Sequence, residues 1–487
     1  MCQRSRAPMG RGGTLEGIRF GTSGWRGVIA DDFTFERSRL VVASVACYLH
    51  QSGEGDRGVL VGYDTRFLGA EFARDAADML TRMGIDVLLC DGPVPTPALA
   101  FIILKRKLGG AINFTASHNP SKYQGIKFSP SWGGPALPET TGAIEELIGG
   151  FARKGLPGAV SRRGQIQMLD PAPEYLRELA GKVDLELLSD SGPKIVFDAL
   201  YGTGARYLDR LLEEAGCSVR VIHADPDPLF GGASPEPSED RLKELSAMVS
   251  EHSALGLSTD GDADRFGVVG SEGEFYSPNV VLALLADYLI GTKGIAGDLA
   301  RSVATTDLLD VIASAYGRRC HETPVGFKFI GEMISRDMLA MGGEESAGMS
   351  IRGHVPEKDG ILACLLVAEM VAAAGETLST LRTRMEERFG PRFSVRINLP
   401  LSDEMAGRLG AILEDPPKEI GGMETRKILR TDGTKWIFGN GDWALLRLSG
   451  TEPVARLYVE SSSPDELLNI ETVFREWVSG DGQRTGN

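Results

Sequence analysis

The sequence predicts an α/β protein with three related α/β domains, whose sheets are mixed and mostly parallel, followed by a C-terminal α+β domain. Three observations support this prediction. The chain has 487 residues, more than one hydrophobic core supports, since domains hold roughly 100–150 residues each. Short apolar runs of strand length alternate with segments of helical periodicity up to residue 390. From residue 391 onward, alternating strands precede one closing helix.

The individual elements follow from the same periodicities, read in chain order. The predicted strands are 58–65, 85–90, 110–115, 194–199, 218–223, 255–259, 393–399, 445–448 and 456–460. The predicted helices are 71–83, 205–215, 279–290, 361–374 and 464–478. Stretches with Gly and Pro separate five segments. These segments are a disordered tail at 1–17, α/β domains at 18–165, 166–275 and 276–390, and an α+β domain at 391–487.

Composition excludes several classes of function. Lys plus Arg is 52 and Asp plus Glu is 67, which gives a net charge of −15 and disfavours non-specific binding to nucleic acid or anionic membranes. The longest apolar stretches, 280–290 and 361–374, are shorter than the ~20 residues that cross a bilayer. Six scattered cysteines without a CxxC pair predict neither a zinc site nor a disulfide framework. We therefore expect a reducing compartment, the cytoplasm.

Three aspartates alternate with other residues directly after a predicted strand. In an extended loop Asp260, Asp262 and Asp264 project to one side, where their charges repel one another unless a cation lies between them. Oxygen-only ligands select a hard ion, and Mg²⁺ is the expected one. An EF-hand loop starting at Asp260 is excluded, because Arg265 and Ser271 stand where it needs glycine and glutamate. A solvated acidic turn is the structural alternative.

A second polar segment, Thr-Ala-Ser-His-Asn-Pro at 115–120, ends a predicted strand, where active-site groups gather in open α/β sheets. Ser117 and His118 are neighbours that point opposite ways in extended chain, so a relay between them is disfavoured. A turn that merely closes the strand explains the segment equally well. Lys127 follows ten residues later between apolar residues, and an exposed strand lysine is the alternative interpretation there.

Three further loops combine glycine with groups that bind anions or hydroxyls. Residues 343–348 place two glutamates and a serine between glycines, which suits a polyol. Residues 447–453 combine an arginine, two hydroxyls and a glycine, a pattern that binds phosphate. Residues 20–27 are glycine-rich with one arginine. Each could also be a plain loop. Because there is no GxxxxGK[ST] loop and no GxGxxG that follows a strand, the set favours phosphoryl chemistry on a sugar over nucleotide binding.

These five segments, in this order, resemble the α-D-phosphohexomutase superfamily, and most of all bacterial phosphoglucomutases, over residues 18–478. The resemblance implies four domains around a central cleft. It implies that Ser117 carries a phosphoryl group, passes it to a hexose monophosphate and regains it from the bound hexose 1,6-bisphosphate. It also implies that Lys127 is the general base, which requires a lowered pKa, and that His118 lies at the transfer site. The implied Mg²⁺ ligands are Ser117, Asp260, Asp262 and Asp264.

The resemblance further implies which residues contact the substrate. Those residues are Thr22, Arg26, Arg265, Lys328, Glu344, Ser346, Lys358, Arg447, Ser449, Gly450 and Thr451. Val325 replaces a threonine often found in that loop of the family, which puts one contact in question. The GEES form of the 343–348 loop favours glucose over mannose and disfavours glucosamine-type substrates. A phosphomannomutase, a dual-specificity enzyme, a glucose 1,6-bisphosphate synthase and a binding-only relative are the alternatives. We expect a monomer or weak homodimer.

Overall fold

A computed structural model describes residues 17–21, 24–448 and 454–479. The tail predicted for residues 1–17 lies outside these residues, apart from Gly17. The described chain forms four sheets in succession, three of them mixed and one antiparallel. The α/β class and the four-domain architecture predicted from the sequence are confirmed.

The first unit has a six-stranded sheet in the order β1-β5-β4-β2-β3-β6, with parallel pairing from β4 to β6. Its strands are β1 Trp25–Val28, β2 Val59–Tyr63, β3 Val87–Cys90, β4 Gly110–Phe114, β5 Tyr123–Pro130 and β6 Ile166–Leu169. Its helices are α1 Phe35–Gln51, α2 Gly69–Arg82, α3 Thr96–Arg106 and α4 Pro138–Lys154. Strand β6 pairs with β3, so this sheet extends past the predicted boundary at residue 165. Strand β6 has no clear apolar pattern, because three of its four residues are exposed.

The second unit has a five-stranded sheet in the order β11-β10-β9-β7-β8. Its strands are β7 Lys194–Asp198, β8 Ser218–Ile222, β9 Leu255–Thr259, β10 Phe266–Val269 and β11 Phe275–Tyr276. Its helices are α5 Ala172–Ala180, α6 Leu185–Ser191, α7 Leu208–Glu214 and α8 Lys243–His252. Strand β9 is buried along its whole length, as expected for a strand covered on both faces. It pairs antiparallel with β10, so the acidic residues between them form the turn of a hairpin.

The third unit has a four-stranded sheet in the order β13-β12-β14-β15. Its strands are β12 Asp298–Ser302, β13 Cys320–Thr323, β14 Leu339–Glu344 and β15 Gly348–Ile351. Its helices are α9 Pro278–Asp287, α10 Leu308–Ala315, α11 Phe327–Ser335, α12 Gly360–Ala374 and α13 Leu378–Phe389. Helix α12 begins at a capping aspartate, since Asp359 Oδ1 accepts a hydrogen bond of 2.9 Å from Leu362 N. Its residues from Gly360 to Met370 are buried, and apart from Glu369 they are apolar or glycine, as expected for a helix inside a core.

The fourth unit is antiparallel, in the order β16-β21-β20-β19-β18-β17. Its strands are β16 Phe393–Pro400, β17 Glu419–Ile420, β18 Met423–Leu429, β19 Thr434–Phe438, β20 Trp443–Leu448 and β21 Val454–Ser461. Its helices are α14 Asp403–Glu414 and α15 Pro464–Ser479. The change in strand pattern predicted at residue 391 thus corresponds to a change from mixed to antiparallel sheets.

Two large cores, a smaller core in the fourth unit and three minor clusters organise the described chain. One core runs through the first three units and includes α3, β9 and α12, and a second lies inside the first unit. The fourth unit has its own core around Trp436 and Phe474. Among the described helices, no single one is long and apolar enough to cross a membrane, and only α12 and α13 taken together, across an 83° bend, pass that test. The five described cysteines are free thiols.

Candidate active site

The loop after β4, residues 115–123 (the serine loop), places a hydroxyl against the second unit. Ser117 is buried, with a φ of 51° in the left-handed region that serine seldom adopts. Its backbone N–H donates to Thr115 Oγ1 at 2.9 Å, which fixes the start of the turn. Its Oγ donates to Asp260 Oδ2 at 2.7 Å and lies 3.5 Å from His118 Nδ1. The two predicted segments therefore meet.

The turn between β9 and β10, residues 260–265 (the acidic loop), brings three carboxylates together. Asp260, Asp262 and Asp264 are buried, and a ligand oxygen from each lies within 4.8 Å of the others. This is the arrangement that the alternating spacing predicts. The two loops approach so closely that a Cβ atom at Gly261 would lie 2.8 Å from Ser117 O. A glycine is needed there.

The carboxylates are suited to a cation. Asp262 Oδ1 and Asp264 Oδ1 are buried and have no hydrogen-bond partner in the described chain, so two anionic oxygens are left for a ligand. Burial, then the charges of Asp262 and Asp264, raise the pKa of Asp260 well above its ordinary value. Buried carboxylate ligands with oxygens that accept no hydrogen bond fit a hard divalent ion such as Mg²⁺.

Two lysines from different units neutralise part of this charge. Lys127 Nζ, on β5, lies 2.6 Å from Asp262 Oδ2 and 2.7 Å from Asp264 Oδ2. Lys358 Nζ, just before α12, lies 2.9 Å from Asp264 Oδ2 and 3.1 Å from Glu357 Oε1. Burial would lower the pKa of Lys127, but the two aspartates outweigh it and raise the pKa. Lys127 therefore lacks the lowered pKa that a general base requires.

The acidic loop is also held from the first unit. Thr96, at the start of α3, donates from Oγ1 to Asp262 Oδ2 at 2.5 Å and from its backbone N–H to Asp262 O at 2.9 Å. Asn113 Nδ2 in turn donates to Thr96 Oγ1 at 2.9 Å. Such partners orient a ligating carboxylate, and they stand outside every segment that the sequence singled out.

Two arginines lie near His118, the neighbour of the buried serine. Arg26 Nη1 donates to Asn119 Oδ1 at 2.6 Å, and Arg265 Nη1 lies 3.5 Å from Glu236 Oε1. Burial, then the positive charge of Arg265, lower the pKa of Arg26. Burial, then Arg265 and Arg26, lower the pKa of His118 well below its ordinary value, so its imidazole is neutral. The arrangement can receive a group with several negative charges.

In the loop of residues 343–348, in the third unit, the two glutamates have different hydrogen-bond partners. Glu344 is buried, and its Oε1 accepts a hydrogen bond of 2.7 Å from Gly326 N. Burial, then the charge of Glu345, raise the pKa of Glu344 to about 7. Glu345 is partly exposed, and its Oε2 accepts a hydrogen bond of 3.1 Å from Ser302 Oγ. Ser346 is partly exposed at the turn. Glu344 and Ser346 therefore remain the candidates for contact with a ligand.

The predicted phosphate-binding residues of the third and fourth units gather around one carboxylate. Arg447 Nη2 donates to Asp432 Oδ2 at 2.6 Å, and Val325 N donates to the same oxygen at 3.0 Å. Lys328 is half-buried. Burial lowers its pKa, although the negative charges of Glu139 and Asp432 act to raise it. Four other predicted contacts lie outside the described residues. They are Thr22, Ser449, Gly450 and Thr451.

Six residues that contact the site were not predicted as site residues from the sequence. They are Asp64, Arg66, Thr96, Asn113, Glu357 and Asp432. The segment Tyr-Asp-Thr-Arg that ends β2 carried one usable signal, because polar residues at the carboxyl end of a parallel strand face the ligand side of the sheet. The others have no comparable signature.

Comparison with known families agrees with this architecture. Models of phosphoglucomutase/phosphomannomutase alpha/beta/alpha domains I, II and III match residues 17–151, 173–273 and 277–389, and the model of the C-terminal domain matches residues 397–476. The chain belongs to this family, within the α-D-phosphohexomutase superfamily. A hexose phosphate mutase activity follows from that membership.

Individual relatives differ in the activity for which they are named. A phosphoglucomutase/phosphomannomutase from Thermococcus kodakarensis is 32% identical over 92% of this chain and 96% of its own length. A phosphoglucosamine mutase from Salinispora arenicola is also 32% identical, over 92% of this chain and 95% of its own. A crystal structure from Thermus thermophilus, assigned provisionally as a phosphomannomutase, has 36% identity and a TM-score of 0.83, covering 95% of this chain and 99% of its own.

Proposed function

We propose that this protein interconverts hexose 1-phosphate and hexose 6-phosphate, with glucose as the favoured sugar, and that Ser117 carries the phosphoryl group. The observation that carries the proposal is the contact of Ser117 Oγ with Asp260 Oδ2 at 2.7 Å, beside two carboxylate oxygens without partners. A hydroxyl buried among carboxylates makes a poor binding surface for a sugar. It is well placed to accept a phosphoryl group whose charge a cation and nearby arginines offset.

The chemistry proceeds in two transfers at Ser117. In the first, the P–Oγ bond of phosphoserine breaks while phosphorus bonds to the free hydroxyl oxygen of the hexose monophosphate, which yields the bound 1,6-bisphosphate. The proton of that hydroxyl passes to the enzyme and ends on Ser117 Oγ, the protonated form that donates to Asp260. In the second, after the intermediate reorients, Oγ bonds to the phosphorus of the other phosphate while the bond between that phosphorus and the sugar oxygen breaks. The Oγ proton passes to that sugar oxygen, and the isomeric monophosphate leaves.

The acidic loop fits the cofactor expected for this reaction. Asp260, Asp262 and Asp264 would hold Mg²⁺ together with the Ser117 oxygen, and the ion would supply positive charge that offsets charge on the transferring group. Arg26 and Arg265, which lie near His118, supply further positive charge.

Lys127 and His118 have distinct parts in this proposal. Lys127 is an ammonium held by Asp262 and Asp264, so it can neutralise charge and return a proton, and it becomes a base only when those pairs weaken. His118 is neutral and 3.5 Å from Ser117 Oγ, where its imidazole accepts or donates a hydrogen bond without adding charge.

Glu344 and Ser346 are the proposed readers of the sugar hydroxyls, and Lys328 with Arg447 the proposed partners of the phosphate that does not react. A carboxyl group whose pKa is about 7 can accept or donate to a hydroxyl near neutral pH. The GEES sequence of this loop supports glucose over mannose. Free thiols at all five described cysteines support the prediction of a reducing compartment, the cytoplasm.

Initial rates on glucose 1-phosphate, mannose 1-phosphate and glucosamine 1-phosphate, each with Mg²⁺ and its 1,6-bisphosphate, test the proposal. We expect a strong preference for glucose 1-phosphate. Equal rates on the first two would establish a dual-specificity enzyme. A preference for glucosamine 1-phosphate, the second candidate because of the relatives named for it, would overturn the assignment made from the GEES loop.

Ser117→Ala separates a mutase from a binding protein. We expect loss of turnover with little change in the affinity for glucose 1-phosphate, measured by calorimetry. Turnover by the variant would exclude Ser117 as the phosphoryl carrier. Activity of the wild type only with a separate phosphoryl donor would favour the bisphosphate synthase.

A further inference from the structure

The buried guanidinium of Arg66 donates hydrogen bonds to the backbone of the serine loop. The Arg66 side chain is fully buried, and its Nη2 donates to Ser117 O at 2.6 Å and to Asn119 O at 2.5 Å. Its Nη1 donates to Pro120 O at 2.9 Å and to Tyr123 O at 3.0 Å. Four carbonyl groups of a single turn therefore converge on one planar group.

The same guanidinium has its counter-charge two residues away. Arg66 Nε donates to Asp64 Oδ2 at 3.1 Å, so all five N–H donors of the side chain are used. Asp64 Oδ2 also accepts a hydrogen bond of 2.6 Å from Thr115 Oγ1, which accepts from Ser117 N. The carbonyl and the N–H of Ser117 are thus both tied to the Asp64–Arg66 pair.

This pair also contacts the second unit, which carries the acidic loop. The Arg66 guanidinium lies 4.8 Å from the centroid of the Phe230 ring, a cation–π distance. Thr65, between the two charged residues, donates from Oγ1 to Tyr201 O at 2.9 Å. The segment that ends β2 therefore touches both the serine loop and the unit toward which Ser117 points.

We infer that Arg66 is a positioning residue for phosphoryl transfer, whose planar fork keeps Ser117 in its left-handed conformation with Oγ aimed at the acidic loop. The inference rests on the proposed role of Ser117. Serine rarely adopts a φ of 51°, so the conformation persists only where the surroundings impose it. Without the fork, the serine loop relaxes and Oγ leaves Asp260.

Arg66→Lys is the deciding variant, because lysine keeps the charge opposite Asp64 but cannot satisfy four convergent carbonyl groups. We expect kcat to fall about 100-fold, the loss typical of a misplaced reacting group, with the KM for glucose 1-phosphate little changed. We also expect Ser117 to be phosphorylated more slowly from glucose 1,6-bisphosphate, followed by mass spectrometry. If the side chain served only as an ion-pair partner, lysine would preserve both rates, and that result would overturn the inference.

Arg37→Lys is the matched control. Arg37 is a buried arginine of the same unit that lies 5.6 Å from the Trp25 ring centroid and 3.6 Å from Asp32 Oδ1. We expect this variant to keep the wild-type kcat. An equal loss in both variants would mean that any buried arginine of this unit matters through stability alone, and would contradict the positioning role.

A second pair of variants decides the matter if Arg66→Lys does not fold. Thr115→Val removes the hydroxyl that joins Asp64 to Ser117 N, whereas Thr115→Ser keeps it. We expect kcat to fall at least tenfold further in the valine variant than in the serine variant. Equal kcat values in the two would contradict the inference. A wild-type protein that neither turns over hexose phosphates nor accepts phosphate on Ser117 would instead refute the proposed function.

Discussion

The Thr96 hydroxyl, at the start of α3 in the first unit, donates a hydrogen bond of 2.5 Å to Asp262 Oδ2 in the second. The carboxylate that this hydroxyl orients has its other oxygen buried and without a partner in the described chain. A residue 166 positions away in sequence therefore fixes the direction in which a proposed metal ligand points.

Thr96→Val should weaken the affinity for a divalent cation. Partners of metal ligands typically contribute about 10–100-fold to metal affinity. Valine removes the hydrogen bond to Asp262 and the one that the hydroxyl accepts from Asn113 Nδ2. Titration of the protein with Mn²⁺, followed by electron paramagnetic resonance, measures this directly. Thr96→Ser should restore the affinity, and Thr81→Val, which removes a buried hydroxyl bonded to Asp78 O, should leave it unchanged. Wild-type Mn²⁺ affinity in Thr96→Val would contradict the role.

Asp262→Asn should reduce kcat by about 100–1000-fold, as expected when charge stabilisation at the reacting group is lost. The substitution removes a proposed cation ligand and an ion pair of Lys127. Initial rates as a function of Mg²⁺ concentration are the measurement, with the exposed Asp240→Asn as a control for net charge. Full activity of the wild type in excess chelator would exclude the cation site.

Gly360→Ala should destabilise the junction between α12 and the acidic loop. A Cβ atom there would lie 2.2 Å from Arg265 O, and Gly360 N donates to Ala263 O at 3.0 Å. Forcing a methyl group into such a contact costs about 1–3 kcal/mol of unfolding free energy. Urea denaturation of the variant checks this. Gly142→Ala is the control, because its Cβ meets nothing within 4 Å in α4, so it should be neutral or stabilising. Equal midpoints for the two variants would contradict the prediction.

Glu460, between the third and fourth units, should make stability fall as the pH rises. Burial, then the charge of Asp307, raise the pKa of Glu460 to about 8 from an ordinary value near 4.5. The folded state thus keeps a proton that the unfolded state releases, so the contribution of this group to stability is fully present below about pH 4.5 and is lost as the pH rises through about 8. Arg392, near Asp307, and Lys435, whose pKa burial lowers to about 8, share this interface.

Glu460→Gln carries a neutral amide in place of the protonated acid and should remove that dependence. We expect the melting temperature of the variant, relative to that of the wild type, to rise as the pH increases from 6 to 9. The exposed Glu476→Gln should change little over the same range. Parallel pH profiles of wild type and Glu460→Gln would show that this carboxyl group is not the one responsible.

The sequence was sufficient to predict those parts of the site whose functional residues are close together in the chain. The alternating aspartates after β9 and the polar turn after β4 could be located because each follows a buried strand, and the end of a strand is visible in the apolar pattern. Arg66 and Thr96 could not be found this way. Their partners lie about 50 and 166 positions away, and their surroundings look like an ordinary strand end and helix start. Strand β6 was missed because an exposed edge strand has no alternating pattern.

The division of the hydrophobic cores bears on how the protein unfolds. The first three units share one continuous core, which α12 crosses, whereas the fourth has a core of its own and is joined to the third by a smaller cluster that includes Val303 and Trp443. A shared core couples units into a single cooperative transition, and a separate one permits independent melting. Calorimetry should therefore record two transitions, and the smaller one, assigned to residues beyond 391, can occur while Ser117 and Asp260 remain together.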